Sequence, residues 1–324
     1  MANGDQNRNG HAFEYSLASQ YYDYLRENGA QVELLKDDIF CHARDCYAAL
    51  PFVERKRFDY CSALTIDTML KLEPGIAYKG DPEDVLHIRL NGDMVGVSAD
   101  VRDVVFSRDH KGWSVGFSAK NNNDAVKHSR LGRSLDFGKS WFGVPCSDVY
   151  WNEASAVFDY VERFIGQDWC DLGNDKARYV YKPLLAAFRK ELLRICEQYG
   201  EIPQALLVYL VGSYDFYKII KDDNSKVVVV KAVNIHNKLN LTYRSIKPRL
   251  KTPCLTLPTR IIEMRFKDGS DSTMILTMDH GWTISFRIHS AATKVERSLK
   301  FDISLIGNPP VLFSQYLFED DEIN

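Results

Sequence analysis

The sequence predicts an α+β fold: helical at first, then β-rich, then helical again, with a β-rich C-terminal half. Three observations carry that expectation. Apolar residues recur at helical spacing in two blocks, residues 11–73 and 151–200. Between them, residues 85–120 form short runs rich in Val, Ile and Phe, separated by Asn-Gly-Asp and Asp-His-Lys-Gly turns. From about residue 226 onward, five more runs of the same texture follow. A chain of 324 residues with 45% hydrophobic content and 12% aromatics can bury a large core.

Taken in order, "HAFEYSLASQYYDYLRENG" follows a polar lead ending at Gly10. It sets Phe13, Leu17, Tyr21 and Leu25 on one helical face, with Gly29 at the stop position. Helical patterns continue through residues 36–73 until "PGIAYKGDPED" breaks them. "VLHIRLNGD", "MVGVSADVRDVVFSRD" and "GWSVGFSAK" read as three sequential strands, the last two forming a hairpin. Three asparagines come next, then a helix-like run carrying Lys127, His128 and Arg130. "ASAVFDYVERFIG" and "PLLAAFRKELLRICEQYG" are helices that each end at glycine. The later strands are "KVVVVKAVNI", "TRIIEMRFKDG", "STMILTMDHG", "WTISFRIH" and "LKFDISLIG", before a frayed acidic tail. This pattern divides the chain near residue 200, into a mixed region 1–200 and a β-rich region 201–324.

Composition narrows the function classes. With 41 Lys+Arg against 44 Asp+Glu the net charge is −3, so any nucleic-acid binding relies on local patches and not on a global field. Seven scattered cysteines without a C-x-x-C pair argue against a disulfide framework or zinc knuckle and for a reducing, cytoplasmic setting. No signal-peptide core or membrane-length apolar run occurs, so a soluble protein is expected. The Asp-Phe-Gly of "DFGKSW" stands without the other kinase motifs and carries no weight.

The hairpin holds the candidate chemistry. A turn near Asp109 to Gly112 brings Asp103 opposite Ser118 and Asp100 near Asn121, and alternation puts Ser118 and Lys120 on one face. One or two carboxylates beside a lysine can hold a hard cation such as Mg²⁺ and hydrolyse a phosphoryl group. Many solvated hairpins carry the same residues, so spacing alone does not decide between the two. The basic stretch Lys120, Lys127, Arg130, Arg133, Lys139 with His128 is ordinarily a solvated helix face. Beside such a hairpin it suits a grip on phosphates flanking the reacting one.

Longer stretches settle on a family. "NGHAFEY", "ADVRDVVF", "SAKNNNDAVKHSRL", "DFGKSWFGVPCSDVY", "YDFYKII", "LPTRI" and "SFRIHSAATKVERSLKFDISLIG" resemble the HaeIII-type type II restriction endonucleases, in order, from residue 9 to residue 307. The hairpin itself resembles the PD-(D/E)XK nuclease core, a mixed sheet flanked by helices. The resemblance implies Mg²⁺-dependent cleavage of double-stranded DNA, with GGCC cut between G and C to blunt ends. Region 1–200 becomes the nuclease core, and 201–324 serves DNA recognition and completion of the fold.

Carried over residue by residue, Asp103 is the first choice for the metal-binding aspartate, Lys120 for the catalytic lysine and Glu14 for the helix-borne glutamate, with Asp100 the competing or supplementary acid. Ser118 stands where the superfamily has Asp or Glu. A further metal ligand must then come from Glu14, Asp100 or a backbone carbonyl such as that of Ala119. Asn121, Asn122 and Asn123 stand where relatives place histidines among asparagines, and are assigned to positioning DNA. Arg287, His289 and Lys294, with Arg244, Lys247, Arg249, Lys251 and Arg297, are candidates for the DNA-facing charges. A cognate cytosine methyltransferase is the implied partner, and a palindromic target allows a homodimer. A non-catalytic DNA-binding protein and a structure-selective repair nuclease are the rival readings.

Overall fold

Phe13, Leu17 and Tyr21 are fully buried and Leu25 nearly so, with Ala12 and Ala18 beside them. This apolar stripe fixes the first helix, α1 (Asn3–Glu27), which also takes in the polar lead and runs through Gly10. A computed structural model of the chain describes residues 3–92, 100–122, 125–290 and 292–319. The expected strand over 94–99, Asn123 and the acidic tail beyond residue 319 lie outside the described residues, as do the side chains of Lys127 and His128.

After α1 come β1 (Val32–Leu34), α2 (Asp38–Ala48), α3 (Phe52–Leu72), β2 (Leu86–Leu90), β3 (Val104–Arg108), β4 (Trp113–Asn121) and β5 (Ala125–Gly132). The middle of the chain holds α4 (Phe137–Phe142), α5 (Asp148–Glu162), α6 (Lys182–Gln198) and α7 (Ile202–Val211). Then follow β6 (Phe216–Asp222), β7 (Val227–Val233), β8 (Ile261–Phe266), β9 (Thr273–Met278), β10 (Thr283–His289), β11 (Ser298–Gly307) and β12 (Ser314–Phe318). The mixed α/β expectation is met, and no helix among the described residues is long and apolar enough to cross a membrane.

The elements gather into two compact units, and neither is a continuous piece of chain. The first comprises residues 1–124, 212–255 and 311–324; the second comprises 125–211 and 256–310. A single division near residue 200 is therefore not the one the contacts make. Pairing across long sequence distances is the reason: β6 lies parallel to β4, and β12 closes onto β7.

In the first unit a mixed seven-stranded sheet runs β1-β2-β3-β4-β6-β7-β12. Helix α1 packs on it, with Tyr21 edge-on to Phe106 and Phe117 at 5.2 and 5.3 Å between ring centres. In the second unit an antiparallel five-stranded sheet runs β5-β11-β10-β9-β8. Phe188 of α6 packs there on Phe286 and Phe301 at 5.2 and 5.0 Å.

The basic run after β4 is a strand and not a helix. Its residues pair antiparallel with β11, Arg130 opposite Lys300 and His128 opposite Asp302, and Leu131 is fully buried. A partner strand offering ladder hydrogen bonds overrides weak local preference.

Candidate active site

The hairpin between β3 and β4 turns at Asp109 to Lys111 and closes at Gly112, whose φ of +58° is the left-handed conformation that glycine adopts without strain. Val104 pairs with Phe117, which places Asp103 opposite Ser118 as the sequence predicts. Asp103 is held by its backbone on both sides: its N–H donates to the Phe117 carbonyl at 2.7 Å, and its own carbonyl accepts from Asn91 N–H at 2.9 Å.

That anchoring aims the Asp103 carboxylate back at β4. Oδ2 accepts from the Ala119 N–H at 2.7 Å and faces Lys120 Nζ at 3.3 Å, with both side chains about a quarter exposed. Among the described residues Oδ1 accepts no hydrogen bond. Glu14 joins this group from α1. Burial pushes its carboxyl above the ordinary value; the His11 hydrogen bond opposes that shift, the Asp103 charge adds to it and the Lys120 charge opposes it. The structure thus brings Glu14, Asp103 and Lys120 into one electrostatic neighbourhood.

Asp100 is placed differently. Its two oxygens accept from Arg102 Nε and Nη2, both at 2.8 Å, and the pair is almost fully buried. The Arg102 N–H and the Asn91 amide add bonds at 3.1 and 3.4 Å. The Arg102 guanidinium also lies 4.0 Å over the Tyr214 ring. Gly116 makes room for it, since a Cβ there would collide with the Arg102 side chain. A carboxylate held at both oxygens by a buried guanidinium is poorly placed to give either to a cation.

Asn121 and Asn122, at the end of β4, are both engaged with other side chains of the protein. Asn121 is buried and accepts from Lys221 Nζ at 3.4 Å. Asn122, at a φ of +57°, exchanges hydrogen bonds with Asp223, which in turn pairs with Lys221 and, at 2.6 Å, with Arg57. These contacts shape the exit of the strand.

The basic candidates also separate. Arg130 is exposed but tied to Glu296 and Ser298, both at 2.7 Å. Lys294 pairs with Asp168 at 3.0 Å, and His289 lies 3.3 Å from Asp302. Arg244 is bound to Asp81 and Asp84, and Arg297 to Glu162. Arg287 is exposed on β10, and among the described residues it has no ion-pair partner.

A nearly buried carboxylate whose ionised form is disfavoured by burial and by the neighbouring Asp103 charge suits a hard divalent cation, which offsets that repulsion. The fit is therefore good at Glu14 and Asp103. Elsewhere, Asp168, Cys170 and Asp171 cluster at a 3-10 turn (Trp169–Leu172) of the second unit, two of the three exposed, and Asp168 is already paired with Lys294.

The family model for the HaeIII restriction endonuclease matches residues 10–309, a span that contains all three residues of the cluster. The chain belongs to the HaeIII restriction endonuclease family. It is also 35% identical to the type II restriction enzyme HaeIII of Haemophilus aegyptius over 309 residues, which cover 94% of this chain and 96% of that protein. No solved structure matches it. As a HaeIII-family restriction endonuclease, the protein is a type II site-specific nuclease that acts on double-stranded DNA.

Within this HaeIII-family fold, sequence reading missed His11, Arg102, Lys221 and Asp223. The i, i+3 spacing of His11 and Glu14 was a usable signal, since it sets both on one helical face. The Arg102 clamp and the Lys221–Asp223 pair left none, because they depend on which strands meet.

Proposed function

We propose that this restriction endonuclease cuts GGCC between G and C to leave blunt ends, and does so with Mg²⁺ at Glu14 and Asp103 and with Lys120 beside it. The observation that carries the reading is the Asp103 carboxylate, held by the Ala119 N–H and Lys120 with one oxygen open, next to the buried Glu14. The specificity rests on similarity to HaeIII along nearly the full length of both chains.

When bound, Mg²⁺ supplies Lewis-acid stabilisation of the reacting phosphate and makes a water more acidic. The chain's own residues do the rest. Asp103 and Glu14 provide the oxygen donors. The Lys120 ammonium stabilises charge developing on the scissile phosphate and orients the attacking water. Hydrolysis without a covalent intermediate leaves 5′-phosphate and 3′-hydroxyl ends. Asp100 serves as a buried support through Arg102. Arg287 is the leading candidate for a DNA contact in the second unit, and Lys127, His128 and Arg130 of β5 contribute with their paired strand β11.

The same reading implies a cytosine methyltransferase protecting the same site, a cytoplasmic location, and either a homodimer or successive cuts by a monomer. The test is digestion of unmethylated plasmid with Mg²⁺, with and without EDTA, and sequencing of the ends. EDTA-sensitive blunt cuts within GGCC support it. Cuts at another fixed site keep the enzyme class and overturn the specificity, and binding without cutting under any divalent ion overturns the catalytic assignment.

A further inference from the structure

His11 stands one helical turn before Glu14 on α1, with Nδ1 3.1 Å from Glu14 Oε2 and both side chains largely buried. A carboxylate able to bind a cation is ionised and only accepts hydrogen bonds, so Nδ1 carries the hydrogen and donates it. His42 of α2 packs edge-on against the same ring, at 5.2 Å between ring centres and 70° between planes. His42 is itself 3.7 Å from Cys46 Sγ through Nε2. Among the described residues Oε1 of Glu14 accepts no hydrogen bond.

A flexible glutamate is thereby reduced to one orientation, with one oxygen engaged and the other open. We propose that His11 is a positioning residue that holds Glu14 so that its open oxygen serves the divalent cation. This rests on the assignment of Glu14 and Asp103 to the cation. It follows the general pattern in which groups bonded to ligating carboxylates set metal affinity.

The experiment titrates Mn²⁺, followed by electron paramagnetic resonance, into the full-length protein as wild type, His11→Ala, His11→Asn and Glu14→Gln. Thermal unfolding of each variant is recorded alongside. Asn places an amide nitrogen where Nδ1 stands and keeps the bond, whereas Ala removes it. The expected result is Mn²⁺ binding weakened about 10-fold in His11→Ala and restored in His11→Asn. Unchanged binding in His11→Ala while Glu14→Gln is weakened overturns the role of His11 alone. Equal weakening in His11→Ala and His11→Asn, with both folded, overturns the hydrogen-bond role. Unchanged binding in Glu14→Gln overturns the cation assignment and this inference with it.

Discussion

Asp100 and Asp103 are three residues apart and serve different ends because their surroundings differ. Asp103 keeps an open oxygen beside Lys120, whereas Asp100 is spent on Arg102 in a buried pair. Removing one partner of such a pair leaves an uncompensated buried charge. Asp100→Asn is therefore expected to lower stability by about 3 kcal/mol or more in urea unfolding. Asp103→Asn, at a part-exposed position, is expected to leave stability within about 1 kcal/mol. The hairpin spacing predicted that Asp103 would face the stretch carrying Lys120, and the family resemblance singled the two out. Spacing could not separate the two acids, because the clamp on Asp100 comes from an arginine two residues away folding back over Gly116.

At the scale of elements, the β3–β4 hairpin was readable from its turn and alternation, and β5 was not, since its partner β11 lies some 170 residues further on. The hairpin depends on Gly116 as much as on its turn. Gly116→Ala forces Arg102 from its place, and thermal unfolding is expected to show a loss of 1–3 kcal/mol, on the order seen for overpacked sites. A second element-level device joins α3 to the sheet: Glu73, just past the helix, accepts from Tyr217 hydroxyl at 2.7 Å and Asn240 N–H at 2.6 Å. Burial pushes the Glu73 carboxyl up to about 7 against an ordinary 4.5, and the two hydrogen bonds only partly oppose this. A carboxyl raised in the folded state contributes stability that is fully present below pH 4.5 and is lost as pH rises through 7. Glu73→Gln is expected to remove that loss, on the order of 3 kcal/mol, from a urea-stability profile across this window. An unchanged profile would show that Glu73 titrates in the fold as it does in the unfolded chain and would overturn the assignment.

For the whole molecule, the family and fold class were legible because quoted stretches recur in order along the chain, while the division into units was not. Strand β6 returns to β4 and strand β12 to β7, so each unit is assembled from separated stretches, and no composition shift marks that. The proposed catalytic cluster belongs to the first unit, and Arg287, without an ion-pair partner among the described residues, to the second. If Arg287 meets a phosphate, Arg287→Ala weakens binding to all sequences alike and lowers the salt slope by about 1; if it reads guanine, the loss is about 1–3 kcal/mol and confined to the cognate site. Salt-dependent binding to GGCC and scrambled duplexes in Ca²⁺ distinguishes the two, and an unchanged Kd would remove Arg287 from the interface. The central claim is that Glu14, Asp103 and Lys120 form the cutting centre. Its most direct test is single-turnover cleavage of one GGCC duplex by wild type, Asp103→Asn, Lys120→Ala and Asp100→Asn, each shown to be folded and to bind that duplex. The account predicts losses of about 10³-fold or more for Asp103→Asn and Lys120→Ala, with cutting retained by the folded fraction of Asp100→Asn. Full cleavage by Asp103→Asn, or its loss in folded Asp100→Asn alone, would contradict it.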